Sequence, residues 1–224
     1  NAFALERPEE VEVTLVTPDP RQLHPAMLAS AIDGTRPIEE IRIDVAALAR
    51  RAGAKVRITL ARSLDRARRE LLLGDGTTLR YDVASIAIGT GLSGADLSGV
   101  REHAVMIQPA AEAGALGPAL DGLVRRRAGQ SIRLVVVGTG PAAVELAIAV
   151  RGRVARSAGG APVDVTLVGE SPRLLPMRSP AAGRAVVRAL GAAGVRTHLG
   201  AGVLSLEPGT ITLANGDPAV CANR

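Results

Sequence analysis

The sequence has almost no aromatic side chains and a single cysteine. Phe3 and Tyr81 are the aromatic residues among 224, tryptophan is absent, and Cys221 is the lone cysteine. One cysteine excludes an intrachain disulfide framework, a Cys-x-x-Cys redox pair and a cysteine cluster for zinc. The few aromatics also argue against stacking platforms for single-stranded nucleic acid. We therefore expect a core of alanine, valine, leucine and isoleucine.

Other common signals are missing as well. No apolar run reaches the roughly 20 residues that a membrane-spanning helix needs, and no signal peptide pattern opens the chain, so we expect a cytoplasmic protein. The histidines at positions 24, 103 and 198 share no ligand spacing, which predicts no metal site. A Gly-x-Ser-x-Gly elbow is absent, which argues against a serine hydrolase.

The basic residues are almost all arginine. Of the 27 basic residues only Lys55 is a lysine, and the net charge is +5. Because the arginines are scattered over helix ends and turns, we interpret them as solvated surface and expect no nucleic-acid partner.

A glycine turn between an apolar run and a helical pattern organises the rest of the chain. The β-branched run at 134–137 predicts a buried parallel strand. Gly138 permits a tight turn out of that strand, and Gly140 has no Cβ to hold a pyrophosphate off the backbone. Small Ala143 allows close helix packing, and Pro141 suits a first helical turn. The helix N-terminus then offers N–H groups and partial positive charge to phosphates.

The flanking sequence strengthens this interpretation. A second predicted strand at 165–168 ends in Gly169 and Glu170. In dinucleotide-binding folds an acidic residue at the end of this strand hydrogen-bonds the adenosine ribose. The alternative, a glycine turn in an ordinary βα unit, stays open.

The remaining elements follow from local patterns. We predict strands at 11–16 (ending at Thr17, with a turn from Pro18), 56–60, 69–73 and 78–81, and a buried strand at 83–88 that closes in Gly89, Thr90 and Gly91. We predict helical segments at 26–32, 44–51 (capped by Asp44) and 110–127, and extended segments at 39–43 and 102–107.

The second half of the chain repeats the first. Val-Thr-Leu-Val occurs at 13–16 and at 165–168, an Ala-Gly helix stop occurs at 52–53 and at 193–194, and the hairpin at 71–79 returns at 209–218 with an Asn215-Gly216 turn. The turn at Gly138 precedes its Val-Thr-Leu-Val by 27 residues, and the same offset from Val13 falls before Asn1. We therefore predict two domains of like fold, 1–103 and 104–224, with the first βα unit of the first domain missing.

These motifs identify a family resemblance over almost the whole chain. The sequence resembles the pyridine nucleotide-disulfide oxidoreductase superfamily. Within it, the chain is most similar to the type II NADH dehydrogenase-like branch, which lacks an active disulfide, and especially to proteins associated with selenide, water dikinase. The most specific segments are 136–147, 172–176, 39–44 and 81–90.

The resemblance implies an α/β protein with two Rossmann-like domains of the FAD/NAD(P)-binding type, each a parallel sheet with a small antiparallel β-meander. It implies FAD and NAD(P)H as cofactors, and hydride transfer from nicotinamide to flavin and on to a quinone or another small acceptor. Peripheral membrane contact is compatible with such a protein. The alternative is a non-catalytic module that retains only the NAD(P)H site.

The same resemblance assigns residues to each cofactor. On the NAD(P)H side, with Glu145 near the nicotinamide and Glu170 at the ribose, the candidates are Gly138, Thr139, Gly140, Pro141, Ala143, Glu145, Gly169 and Glu170. On the FAD side the candidates are Thr17, Pro18, Gly89, Thr90 and Gly91.

The chain departs from the family at several of these positions. Ala26 and Ser30 stand in the flavin loop where the family usually has glycine, and Thr17 replaces an acidic ribose ligand. Glu170 comes one residue late, after Gly169. Arg173 is placed to meet a 2′-phosphate that Glu170 would repel, so NAD and NADP both stay open.

Overall fold

The computed structural model describes residues 11–89, 91, 94–215 and 220–221. These residues form two compact units. The first unit contains residues 11–24 and 42–89, and the second contains 25–41 and the described residues from 91 onward. The domain boundary at 103 and 104 remains a prediction.

The described residues form thirteen strands, seven α-helices and two 3₁₀ turns. The strands are β1 (Thr14–Thr17), β2 (Arg21–Leu23), β3 (Arg42–Asp44), β4 (Lys55–Ile58), β5 (Ala61–Asp65), β6 (Glu70–Leu73), β7 (Thr78–Arg80), β8 (Ile132–Val137), β9 (Val163–Gly169), β10 (Val195–Leu199), β11 (Val203–Glu207), β12 (Thr210–Leu213) and β13 (Val220–Cys221). The helices are α1 (Leu28–Asp33), α2 (Val45–Arg51), α3 (Val100–His103), α4 (Ala110–Ala113), α5 (Leu116–Arg126), α6 (Pro141–Ser157) and α7 (Pro180–Ala192), with 3₁₀ turns at Pro25–Met27 and Ile38–Ile41.

The first unit combines a parallel strand pair with an antiparallel meander. β1 pairs in parallel with β4, β2 pairs with β3, and β5, β6 and β7 form the meander. The Asp44 side chain accepts a 2.7 Å hydrogen bond from the Ala47 N–H, as an N-cap should. Gly53 lies just past the end of α2 with φ +70°, so the predicted helix 44–51 and its stop are confirmed.

The second unit contains a parallel sheet in the order β10-β9-β8. The central strand β9 is buried from Val165 to Gly169 because it has a strand on either side. β8 is an edge strand of the described sheet, and Val137 at its end is 54% exposed. The burial on both faces that the sequence predicts for β8 therefore describes β9 better. β11, β12 and β13 form the antiparallel meander.

Helix α6 organises the core of the second unit. Ala143, Val144 and Ala147 pack against the sheet together with Leu167 of β9. Other buried residues of α6, including Val154, pack against α1 and α5. The small alanines let the helix approach its neighbours closely, as a core without aromatics requires.

The repeat found in the sequence is also a repeat of structure. In each unit a helix ends at a left-handed glycine, Gly53 (φ +70°) or Gly194 (φ +74°), and the next strand pairs in parallel with the Val-Thr-Leu-Val strand. The hairpins β5–β6 and β11–β12 share a register shift near their starts, at Ser63 and Ser205. The predicted α/β fold with two Rossmann-like domains is therefore confirmed.

The predicted buried strand at 83–88 is wrong. These residues form no strand, and Val83, Ile86 and Ile88 are 90%, 66% and 84% exposed. A strand needs a neighbour for its backbone hydrogen bonds, and the described part of the chain supplies none to this segment.

The segment before β8 also differs from prediction. The segment predicted as extended at 102–107 instead begins within α3; Ala104 after the helix is extended, and residues 105–107 form no regular element. The single helix predicted at 110–127 is interrupted at Gly114 and Ala115, between α4 and α5. Restarting there places Pro118 in the first turn of α5, where a missing N–H breaks no helical hydrogen bond.

Smaller differences lie elsewhere. Residues 38–41 form a 3₁₀ turn before β3 instead of an extended segment. Strand β5 was not predicted, because its polar residues Arg62, Ser63 and Asp65 leave no clear alternation of apolar and polar positions. Thr90, and Gly216 of the predicted Asn215-Gly216 turn, lie outside the described residues.

Candidate dinucleotide-binding site

The turn that leaves β8 has the close packing that the glycine pattern requires. The Gly138 N–H donates a 2.8 Å hydrogen bond to the Val168 carbonyl, which ties the turn to β9. Gly138 has φ +140°, and a Cβ added there would lie 2.9 Å from the Ala143 Cβ. The first glycine and the small residue five positions later are therefore in direct contact, which explains both residue types.

Gly140 presents a bare backbone face at the start of α6. Its φ of −81° and ψ of 174° are ordinary extended values, so its conformation does not demand glycine. A Cβ added at Gly140 would meet nothing within 4 Å. The missing side chain thus leaves open space next to the helix N-terminus, where N–H groups have no partner within the helix. Pro141 is in the first turn, as predicted.

The end of β9 lies against this turn. A Cβ added at Gly169 would lie 2.2 Å from Thr139 Cγ2 and 3.3 Å from the Gly138 carbonyl oxygen. Glu170 follows with an exposed side chain. The structure thus brings Gly138, Thr139, Gly169 and Glu170 together at the carboxyl edge of the parallel sheet, where nucleotides bind in such folds.

Sequence reasoning missed the third strand's contribution to this edge. The Ala201 N–H donates to the Gly169 carbonyl at 3.1 Å. A Cβ added at Gly202 would lie 3.7 Å from Glu170 Cγ. The Gly-Ala-Gly sequence directly after β10 was the available signal for this close approach.

Sequence reasoning also missed a contact from the loop between β9 and α7. The Leu175 N–H donates a 2.8 Å hydrogen bond to the Thr139 carbonyl. Leu174, one residue earlier, is 1% exposed and belongs to the core between α6 and the sheet. The loop is therefore anchored in the core on one side and holds the glycine turn on the other.

Glu145 lies on the exposed side of α6, one turn after Pro141. It borders a small cavity of about 30 Å³ together with Leu146 and with Leu28 and Ala29 of α1. The structure therefore brings the predicted nicotinamide residue and the predicted flavin loop, 25–30, to one place within the second unit.

Two arginines of α6 fix the C-terminus of α1. The Arg153 guanidinium forms a bidentate pair with Asp121 of α5, at 2.9 and 2.8 Å, and donates to the Ile32 carbonyl at 3.0 Å. Arg156 bonds the carbonyl and the carboxylate of Asp33. Hydrogen bonding between Asp121 and Arg153 lowers the pKa of the Asp121 carboxyl and raises the pKa of the guanidinium.

The FAD-side candidates lie partly in the first unit. Thr17 ends β1 and is 3% exposed. Its hydroxyl donates to the Asp19 carbonyl at 2.9 Å and accepts from Gln22 Nε2 at 3.0 Å. Exposed Pro18 follows it, and exposed Gly89 has φ +72° with open space where a Cβ would lie. Gly91 is also exposed, and Cβ space there is open.

The described residues contain neither a group of side chains for a metal ion nor a helix that could span a membrane. Across 11–89, 91, 94–215 and 220–221, no three His, Cys, Asp or Glu side chains lie close enough to hold a metal ion. Among the helices of the described part, none is long and apolar enough to cross a bilayer.

A parallel sheet whose first strand enters Gly138-Thr139-Gly140 and a helix of 17 residues defines a Rossmann-like dinucleotide-binding protein. The family described as pyridine nucleotide-disulphide oxidoreductase matches residues 1–220. The chain belongs to this family, as the sequence resemblance predicted. No curated protein matches it.

Solved structures share the fold at low sequence identity. The sulfide:quinone oxidoreductase of Aquifex aeolicus matches with a TM-score of 0.81 and 20% identity, over 99% of this chain and 53% of that one. The NDH2 of Plasmodium falciparum in complex with NADH matches at 0.80 and 12%, over 99% and 50%. The water-forming NADH oxidase of Lactobacillus brevis bound to NADH matches at 0.71 and 19%, over 99% and 49%. The chain thus spans about half the length of these proteins.

Proposed function

We propose that this chain is part of an FAD-dependent NAD(P)H oxidoreductase, and that residues 138–143, 169 and 170 bind the NAD(P)H. The observation that carries the proposal is the open face at Gly140, where an added Cβ would meet nothing within 4 Å. Glycine is not needed there for backbone conformation or packing. A ligand that approaches the main chain accounts for it.

The chemistry of the edge suits a dinucleotide. The first-turn N–H groups of α6 and the helix dipole favour a pyrophosphate next to Gly140. The exposed carboxylate of Glu170 accepts hydrogen bonds from ribose hydroxyls. Membership of the family and structural likeness to two proteins solved with NADH support this assignment.

A second group of residues suits the meeting of the two cofactors. The bound pair supplies hydride transfer from nicotinamide to flavin, and such a step requires the two rings in near contact. Glu145 and the segment 25–30 border one cavity. Arg153 and Arg156 hold α1, which begins within that segment at Leu28, against α6. These residues position the two binding segments relative to each other within the second unit.

Residues for the rest of the FAD remain assigned by family resemblance. Exposed Gly89 and Gly91 leave room for a phosphate at the main chain, and Thr90 lies between them in the sequence. Pro18 is exposed at the end of β1. The buried Thr17 hydroxyl already has two hydrogen-bond partners, Asp19 and Gln22, so we assign Thr17 the task of shaping the turn beside the adenosine.

For the electron acceptor we propose a quinone or another small molecule. The name of the sulfide:quinone oxidoreductase supports a quinone. With a lipid-soluble acceptor, the full protein would act at the cytoplasmic face of a membrane through peripheral contact.

The test uses the purified full-length protein that contains this chain. We expect flavin absorption bands that bleach when NADH or NADPH is added without oxygen and return when a soluble quinone is added. Protein that binds NADH but takes up no FAD would indicate the alternative, a non-catalytic nucleotide-binding module. Protein that binds neither nucleotide nor FAD would contradict both functions.

A further inference from the structure

We propose that Arg173 is a positioning residue that braces the loop 171–178 against the dinucleotide turn, and that it does not bind a 2′-phosphate. The inference rests on the proposed NAD(P)H site and deepens it. It decides a question that the sequence leaves open, because an arginine three residues beyond the ribose-binding Glu170 resembles a ligand for NADPH.

The guanidinium of Arg173 is engaged by the loop's own backbone. Its Nη1 donates to the Arg178 carbonyl at 3.2 Å, and its Nη2 donates to the Pro176 carbonyl at 2.5 Å. The Arg178 N–H in turn donates to the Leu175 carbonyl at 2.8 Å. Both terminal nitrogens of the side chain therefore point into the loop and hold 176–178 in a tight turn.

The turn that Arg173 closes contains a strained residue. Leu175 has φ +51°, a left-handed conformation in which a side chain with a Cβ crowds the neighbouring carbonyl. A leucine adopts it only when surrounding contacts impose it. The hydrogen bonds from Arg173 on the far side of Leu175, and buried Leu174 on the near side, are such contacts.

The strained conformation directs one N–H group at the binding turn. The Leu175 N–H donates to the Thr139 carbonyl at 2.8 Å. In a trans peptide the carbonyl and the following N–H point in opposite directions. With the Thr139 carbonyl held toward the loop, the Gly140 N–H points away from it. Arg173 thus acts on the pyrophosphate turn through Leu175 and Thr139.

This role and a phosphate-binding role predict different binding data. A brace affects NADH and NADPH alike, because both share the pyrophosphate. A 2′-phosphate ligand affects NADPH alone. The variants Arg173→Met and Arg173→Lys distinguish the two roles. Arg184→Met is a matched control, since exposed Arg184 and Arg173 line one surface cavity of about 460 Å³.

We expect Arg173→Met to weaken NADH and NADPH by a similar factor, about tenfold, and Arg173→Lys to weaken both less. Arg184→Met should change neither. Adding Leu175→Gly to Arg173→Met should recover most of the affinity, because glycine takes the left-handed conformation without strain. A loss confined to NADPH, or unchanged affinity for both, would overturn the inference.

A measurement without nucleotide separates this inference from the proposed function. Amide hydrogen exchange at Leu175 should be faster in Arg173→Met than in the parent and in Arg184→Met, because the N–H loses its fixed acceptor. Unchanged exchange would show that Arg173 does not brace the loop, whatever the nucleotide affinities. A parent protein that binds neither nucleotide would contradict the proposed function, and the exchange rates would still decide the brace.

Discussion

The contact between Gly169 and the glycine turn gives a quantitative prediction for Gly169→Ala. The new methyl group would lie 2.2 Å from Thr139 Cγ2, far inside van der Waals distance, and 3.3 Å from the Gly138 carbonyl oxygen. Two movements relieve these contacts: the threonine side chain must rotate, and the turn must shift by a few tenths of an ångström. Either one disturbs the edge that we assign to the dinucleotide.

The two contacts differ in cost. Overpacking by one methyl group costs about 1–3 kcal/mol in a packed interior. The Thr139 methyl makes by far the closer contact, so we assign most of this cost to it. Removing that methyl with Thr139→Ser should recover about 1 kcal/mol or more of the loss, which corresponds to an interaction energy typical of residues in direct contact.

The assay is a double-mutant cycle by urea unfolding of the parent, Gly169→Ala, Thr139→Ser and the double variant. Gly191→Ala is the control, because a Cβ at Gly191 of α7 would meet nothing within 4 Å. NADH affinity, measured in parallel, should fall in Gly169→Ala and recover in part in the double variant. Equal costs of Gly169→Ala with threonine and with serine at 139 would refute the reasoning.

Two further predictions concern stability. Gly99→Ala places a Cβ 1.9 Å from the Leu206 carbonyl oxygen at a residue with φ +77°, so it should cost about 3 kcal/mol or more in thermal or urea unfolding; a loss below about 1 kcal/mol would contradict this packing. Arg153→Met should cost about 1–2 kcal/mol at neutral pH, since Asp121, whose side chain is 37% exposed and screened, loses its partner and the Ile32 carbonyl loses a donor. Arg153 lowers the pKa of Asp121. The contribution of the pair to the free energy of unfolding is therefore present above the ordinary aspartate pKa of about 3.9 and is lost as the pH falls through the lowered pKa of the folded state. A difference in unfolding free energy between parent and variant that persists unchanged at pH 3 would argue against the pair.

Features encoded in short sequence patterns were predictable. Gly138, Gly140 and Ala143 mark a turn that requires small residues and, at Gly138, a positive φ, and the structure shows the expected close contact of Gly138 with Ala143. Asp44 and Gly53 mark the ends of α2 through a cap and a left-handed stop. Each of these features depends on interactions within a few residues, so the sequence specifies them locally.

Features that depend on distant partners were not predictable. The apolar segment 83–88 has a strand sequence, but a strand also needs a neighbour. The bonds of Arg153 to Asp121 and Ile32 join positions 32 and 121 residues apart. No local sequence pattern predicts such a pair, because an isolated arginine in a helix is usually solvated.

The candidate site was likewise predictable only where short sequence patterns mark it. The turn and the end of β9 were identified from glycine spacing and from one acidic residue, Glu170. The supports around them were not, since Leu175 acts through its backbone N–H, which carries no side-chain signature. Likewise, Arg173 looks like a phosphate ligand in sequence, and only its hydrogen bonds to Pro176 and Arg178 indicate another role.

The most direct test of the account is the NADH affinity of Gly140→Val beside that of the parent protein. Because the backbone at Gly140 has φ −81° and the space around an added Cβ is open, the variant should fold with nearly parental stability. The valine side chain would then occupy the place that we assign to the pyrophosphate. The account predicts that folded Gly140→Val no longer binds NADH measurably while the control Gly191→Ala binds like the parent. A folded Gly140→Val protein that binds NADH as tightly as the parent would contradict the account.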